Sequence, residues 1–167
     1  MHIRIELPRD RRAVFAVHVA AFPTDAEACL VDDLRDSAAD FISLVALFDK
    51  AVVGHILFTP VSLDSDPDAR IMGLAPMAVL PERQGSGIGS KLVTSGLHRC
   101  SDAGYAAVVV LGHPEYYPKF GFVPASQFGL GCEYDVPDEV FMALELRSAY
   151  LAAVNGTVRY DKAFATL

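Results

Sequence analysis

The chain reads as a mixed α/β protein (α+β in some schemes), a central twisted mixed sheet flanked by helices on both faces. Three observations lead there. Two apolar runs, FISLVALF and VVGHILFTPV, stand on either side of a short polar turn between Phe41 and Val61. A glycine-rich turn is followed, from about Gly87 to Ala103, by apolar residues at helical spacing. Tyr105 to Leu111 is then continuously apolar, the pattern of a strand buried on both faces in a parallel arrangement.

Taken in order, Ile3, Ile5 and Leu7 alternate over residues 2–7 and predict a short strand with those three side chains on one side. After Pro8 the spacing becomes Val14, Val17, His18, Ala21 and Phe22, one face of a helix that Pro23 ends. His18 lies on that apolar face, where a packed core histidine is expected. A second helix is predicted from Asp25 to about Arg35, with Leu30, Val31 and Leu34 inward. Asp49-Lys50-Ala51 makes the turn of a hairpin between the two apolar runs. Asp64 to Ala69, with three aspartates and a proline, is expected to be a solvated loop, since no calcium-loop spacing follows.

Arg70 to Val79 predicts a strand, and Pro76, which cannot donate to a ladder, predicts a bulge near Ala75-Pro76. The helix 87–103 buries Ile88, Leu92, Val93, Leu97 and Cys100, and Gly104 closes it. With the strand 105–111 this makes a βαβ unit over roughly residues 70–111. A short helix-like piece (His113–Phe120), a strand start at Gly121-Phe122-Val123 and a strand FMALEL (Phe141–Leu146) follow, and the last twenty residues carry no clear period. Nothing divides the chain, so one domain over 1–167 is expected.

Composition narrows the function. Apolar residues make up 52% and charged residues 21%, which argues against wholesale disorder. The net charge of −7 speaks against a nucleic-acid partner, because phosphate backbones are bound by clustered Lys and Arg. Cys29, Cys100 and Cys132 form neither a disulfide framework nor, with histidine, a metal-ligand spacing, so no metal is expected. The N-terminus lacks the apolar run of a signal peptide and no stretch reaches the length of a membrane span. A cytoplasmic protein without membrane contact is expected.

The segment that carries chemistry runs from Val79 through Leu80-Pro81-Glu82-Arg83-Gln84-Gly85-Ser86-Gly87-Ile88-Gly89-Ser90 to Lys91-Leu92. It is a strand end, a proline-started turn and a glycine-rich helix entry. Glycine lets backbone approach a ligand, and the first N–H groups of a helix lack intrahelical partners and face the positive end of its dipole. A phosphate group suits such a site. The dinucleotide fingerprint fails, because Ser90 stands sixth from Gly85 and no acidic residue lies in 105–111. The Walker pattern fails at Gly89-Ser90-Lys91-Leu92. The pattern that fits is Q-x-x-G-x-G, met by Gln84, Gly87 and Gly89.

In that pattern, between strand 70–79 and helix 87–103, the chain resembles the GNAT superfamily of acyl-CoA N-acyltransferases. Tyr117, four residues before Gly121-Phe122 in VVVLGHPEYYPKFGFVPA, is a second match. VGHILFTPV, LAPMAVLPERQGSGIGSKLV and YYPKFGF look like the YhbS-type N-acetyltransferases. The resemblance covers most of residues 2–147 and is sharpest over 70–124. It implies a GNAT-like acyl-CoA N-acyltransferase fold, with strands 70–79 and 105–111 parallel, splayed, and acetyl-CoA or coenzyme A between them. It implies that Gln84, Gly85, Ser86, Gly87, Ile88, Gly89 and Ser90 hold the pyrophosphate. Met77, Ala78 and Val79 would meet pantetheine, Met77 and Val79 through backbone groups. Tyr117 would be the acid that protonates the departing thiolate, with Tyr116 its competitor. The asparagine and alanine frequent in the family seven and four residues before that tyrosine are Val110 and His113 here, and Pro76 removes one backbone donor from the acetyl site.

An amine acceptor, a small molecule or a peptide, arrives mostly as ammonium and must lose a proton before attack. Glu27, at the start of the second helix, is the first candidate base; His55, His113 and Glu115 are others. The implied reaction is direct acetyl transfer to that amine, since no cysteine lies in the motif as a nucleophile would. The rival readings are an acyl-CoA-binding regulator without turnover, and transfer of another acyl chain or to a non-amine acceptor. A homodimer would be in keeping with the family.

Overall fold

The computed structural model describes all 167 residues. Chain order begins with strand β1 (His2–Ile5), then helices α1 (Arg11–Ala21) and α2 (Ala26–Ser37). The strand expected over 2–7 forms but ends at Ile5; Ile3 packs on the core, whereas Ile5 is 51% exposed and Leu7 also faces solvent. β1 is an edge strand, paired on one side only, and the chain leaves the sheet after Ile5. α1 stops where expected: Phe22 is already extended (φ −116°, ψ 156°), as the residue before a proline prefers.

The hairpin forms as the sequence indicates, from β2 (Ile42–Phe48) and β3 (Ala51–Leu63). Its turn residues Asp49 and Lys50 both have positive φ, 48° and 67°, the handedness that suits the twist of the flanking strands. The loop expected at Asp64–Ala69 is instead a two-residue turn, because β4 (Asp66–Val79) begins at once and pairs Asp66 with Leu63. A late segment supplies the support: the Asp64 carboxylate accepts from the Thr157 amide at 2.9 Å, in strand β9 (Gly156–Arg159).

β4 runs antiparallel to β3 with one irregularity where Pro76 predicts it. Ile56 faces Met77 and Phe58 faces Leu74, so two β4 residues, Ala75 and Pro76, stand against Leu57 alone. That is a bulge, and it bends β4. On its other side β4 pairs in parallel with β5 (Ala107–Leu111), but only from Ile71–Ala107 to Gly73–Val109. Beyond Gly73 the two strands part. β5 starts two residues later than expected because the Tyr105 amide is held by the Cys100 carbonyl and the Ala106 amide by that of Arg70.

The connection is helix α3 (Ile88–Asp102). The helix-like piece at 113–120 is a turn and a 3₁₀ turn, Tyr117–Phe120, stopped by Gly121 at φ 102°. Then come β6 (Val123–Pro124), β7 (Leu130–Cys132) and β8 (Phe141–Glu145), which runs antiparallel to β5. The sheet order is β1-β2-β3-β4-β5-β8-β6, and β9 joins β7 to the end of β3. The last twenty residues therefore hold a strand that their own pattern did not reveal.

Two apolar cores lie on opposite faces of the sheet. One joins Val14, Leu30, Val31 and Leu34 of the first two helices to Val45, Leu57 and Ile71, and extends to the C-terminal Tyr160 and Phe164. The other joins Ile88, Leu92, Val93 and Cys100 of α3 to Ile56, Phe58, Met72 and Val79. α3 approaches the sheet closely because Gly96 has no side chain: a methyl there would overlap the Phe58 ring. Overpacking of this kind typically costs about 1–3 kcal/mol. Gly96→Ala should destabilise the fold by that order in chemical denaturation despite the better helix propensity of alanine, whereas His98→Ala on the exposed face should not.

Candidate active site

The cleft begins where β4 and β5 separate. Its lining includes Leu74–Val79 of β4, the loop and helix start from Arg83 to Ser90 apart from Ser86, Leu111–His113, Tyr116 and Tyr117, with Ala21, Phe22 and Glu27 from the α1–α2 corner. The cavity volume is about 680 Å³, room for part of an extended ligand and a small second one.

Backbone polarity along β4 follows from one hydrogen bond. The Leu80 amide donates to the Val53 carbonyl at 2.9 Å. In an antiparallel ladder this bond flanks a non-bonded pair, here Gly54–Val79, so the next pair, His55–Ala78, exchanges both bonds. Ala78 therefore has its N–H and C=O committed to β3, and cannot lend them to a ligand. Met77 and Val79 turn theirs to the opposite edge, into the cleft, where β5 no longer follows. The Val79 carbonyl already accepts from Gln84 Nε2 at 3.0 Å, which ties the glycine loop to the strand end. Gln84 is thereby a strut of the loop.

Gly85 and Gly87 have φ of 77° and 88°, and Gly87 caps α3. Side chains seldom adopt this left-handed conformation. A methyl built on either residue would meet no protein atom within 4 Å, so the space in front of the loop is open. Of the residues expected at the pyrophosphate, Gln84 to Ser90, Ser86 alone lies outside the cavity, and its hydroxyl donates to the Arg83 carbonyl at 2.5 Å. Arg83 and Lys119, to which the sequence pattern assigns no role, also line the cleft. The Arg83 guanidinium lies 3.9 Å from the Phe48 ring centre, and Lys119 Nζ 4.0 Å from that of Tyr116.

Tyr117 and Tyr116 both border the cleft, their rings edge to face at 5.1 Å. Tyr117 is 7% exposed, and burial, with Tyr116 beside it, pushes its hydroxyl up to about 12. It therefore holds its proton at neutral pH. Its ring lies against Gly112, where a methyl would overlap it. Tyr116 reaches further across, its hydroxyl 3.5 Å from Ser90 Oγ at the start of α3. Val110 is buried in the α3-side core, so the polar contact an asparagine would make there has no counterpart.

Of the candidate bases, Glu27 and His113 line the cavity, while Glu115 is exposed outside it. Glu27 Oε2 is buried without a hydrogen-bond partner. His55 is removed from the list of bases: it is fully buried behind the strand and bonded at both ring nitrogens. It belongs to a buried polar chain that sequence reasoning missed, since its members are far apart in the chain. Arg35 is paired with Glu6, Glu6 accepts from the Ser43 hydroxyl, Ser43 Oγ meets His55 Nε2 at 2.8 Å, and His55 Nδ1 meets His18 Nε2 at 2.8 Å. The ion pair sets the direction. A serine that donates to the carboxylate accepts from His55 Nε2–H, so His55 Nδ1 is bare and accepts from His18 Nε2–H. His18 also stacks on Phe22, ring centres 5.9 Å apart and planes within 6°.

Comparison with known proteins bears on this geometry. Residues 11–122 match the family model described as Acetyltransferase (GNAT) family. The chain belongs to the GNAT acetyltransferase family. It is 38% identical over 165 residues to YhbS of Escherichia coli K12, named an uncharacterized N-acetyltransferase, with 98% of each chain covered. The crystal structure of E. coli YhbS in complex with CoA superposes with a TM-score of 0.92 at 36% identity, covering 98% of this chain and 91% of that one. A GNAT-family acetyltransferase from Brucella melitensis in complex with acetyl-CoA gives 0.79 at 35% identity, covering 98% and 97%. The GNAT fold accounts for the parallel β4–β5 pair and the helix between them, and marks the chain as an acyltransferase. No helix is long and apolar enough to cross a membrane.

The histidine pair makes stability depend on pH. Burial, then the positive charge of Arg35, lowers His18 to about 4; burial, then His18 and Arg35, holds His55 well below its ordinary value. Folding therefore favours the neutral rings. Their contribution is complete above the unfolded value of about 6.5 and is lost as pH falls through the folded values, on the order of 3 kcal/mol for His18. Denaturation curves between pH 7 and pH 4 should show stability falling, with a shallower fall in His18→Gln. Equal slopes in the two proteins would mean that carboxylates alone carry the effect.

Proposed function

We propose that this protein transfers the acetyl group of acetyl-CoA to an amine by direct attack, in the cleft between β4 and β5. The observation that carries the reading is the pairing of a β4 edge that no strand occupies, at Met77 and Val79, with a glycine-rich helix N-terminus at its mouth. Such an edge suits the amides of pantetheine as an added strand would. The open space before Gly85 and Gly87, the first amides of α3 and the cations of Arg83 and Lys119 suit a pyrophosphate. When bound there, acetyl-CoA supplies an activated acyl carbon and a thiolate leaving group.

The residues then divide the proton work. Glu27 takes a proton from the ammonium, and the freed amine attacks the thioester carbon. A β4 amide facing the cleft donates to the thioester oxygen as negative charge grows there. As the C–S bond breaks, the Tyr117 hydroxyl gives its proton to sulfur. The amine loses two protons in all: one leaves through Glu27 to water, and the other balances the one Tyr117 delivered. A cysteine relay is disfavoured, because Cys100 is buried in the α3-side core and burial pushes its thiol up to about 12. The three cysteines are unpaired, as in the cytoplasm, the compartment we assign.

Two variants test this. Gly87→Asp keeps a residue type that tolerates the left-handed conformation and favours helix starts, but sets a negative charge where the phosphate would lie. Calorimetric titration should show CoA affinity lowered by tenfold or more while circular dichroism stays native; unchanged affinity would remove the cleft assignment. Tyr117→Phe loses only the hydroxyl. Turnover should fall by roughly a hundredfold with little change in the KM for acetyl-CoA, as for an interaction made in the transition state. Near-normal turnover with chemistry rate-limiting would sink the role of Tyr117 as the acid.

A further inference from the structure

The charged residues that line the cleft are segregated. Arg83 and Lys119 belong with the glycine loop: Arg83 precedes it, and Lys119 lies over Tyr116, whose hydroxyl meets Ser90. Glu27 is the one carboxylate in the lining, and it enters from the α1–α2 corner. Around that corner the wall is apolar: Ala21 and Phe22 from the end of α1, and Ala75 and Pro76 from the β4 bulge. Both α1 and α2 pack on β4, which brings these groups to one end of the cleft.

Two features make this end a formed site. A buried carboxylate oxygen without a partner is unfavourable to leave so, and Glu27 Oε2 is in that state. An ammonium donor would supply the missing bond. The aromatic wall is also fixed in place. Phe22 stacks on His18, and His18 is held through His55, Ser43 and Glu6 to Arg35. A ring held this way loses little freedom when a ligand packs on it.

Resting on the amine-transfer reading above, we propose that the acceptor is a small monocationic amine with an apolar body, an arylalkyl or branched alkyl amine. Its ammonium meets Glu27, and its apolar part packs against Phe22, Ala75 and Pro76. Polycationic acceptors are excluded by the same wall. A second ammonium would enter an apolar surface with no further carboxylate to meet it, and burying an unpaired charge is strongly unfavourable.

Thiol release from acetyl-CoA, measured with 2-phenylethylamine, methylamine and spermidine, tests the proposal. The kcat/KM for 2-phenylethylamine should exceed both others by about tenfold or more, the scale on which an apolar pocket discriminates. Phe22→Ala should raise the KM for 2-phenylethylamine about tenfold, leave that for acetyl-CoA unchanged, and leave methylamine nearly unaffected; Phe22→Leu, which keeps an apolar wall, should restore most of the preference. A preference for spermidine, or equal losses with 2-phenylethylamine and methylamine in Phe22→Ala, overturns this proposal and leaves amine transfer standing. If Phe22→Ala fails to fold, the wild-type ranking decides by itself. Absence of thiol release with every amine, while calorimetry shows acetyl-CoA bound, overturns the amine-transfer reading and this proposal with it.

Discussion

The structure depends on the parting of β4 from β5 after three paired residues. Up to Gly73 and Val109 the two strands satisfy each other; beyond, β4 keeps only β3 as a partner. Backbone N–H and C=O groups must be satisfied somewhere. An edge left open in the middle of a sheet is thus a standing requirement for a ligand or for water. The bulge at Ala75-Pro76 bends β4 near the point of separation. The hydrogen-bond phase then decides that Met77 and Val79, and not Ala78, face the opening. Everything that lines the cleft is arranged about that edge.

The two faces of the sheet hold the edge in different ways. On the α3 side the means are steric. Gly96 admits Phe58 and Gly112 admits Tyr117, so close approach at two glycines sets where the helix and the tyrosine lie. On the α1–α2 side the means are polar. An ion pair, a serine and two histidines run from Arg35 to His18 under the corner that carries Phe22 and Glu27. Apolar contacts alone would leave that corner free to settle in several ways, whereas a chain with a fixed direction of donation has one arrangement. The same chain ties the integrity of the corner to the neutrality of two buried rings.

The candidate catalytic groups follow this division. Tyr117 belongs to the apolar side, and its burial keeps it protonated. Glu27 belongs to the polar corner and lines the cleft from the other wall. A tyrosine that holds its proton and a carboxylate with an unmet oxygen are thus brought to one cavity from segments ninety residues apart.

What the sequence determined by itself was local. The Asp49-Lys50 turn, the stop of α1 before Pro23, the bulge at Pro76 and the glycine entry to α3 each rest on the conformational limits of a few adjacent residues, which the sequence states directly. The family was legible for the same reason, because Gln84, Gly87 and Gly89 stand together on one loop and Tyr117 lies a fixed step from Gly121-Phe122. What only the tertiary structure decided was long-range. β9 carries too few apolar residues to declare itself and exists because β3 and β7 offer it partners. Those pairings also turn the aspartate-rich segment after Leu63 from a loop into a hairpin. His55 reads as a candidate base until His18 and Ser43 occupy both its nitrogens, and only the ladder phase shows that Ala78, though it lines the cleft, has its backbone committed to β3. Pairing across the sheet sets which side of a residue is free, and that is a property of the neighbours the fold brings to it.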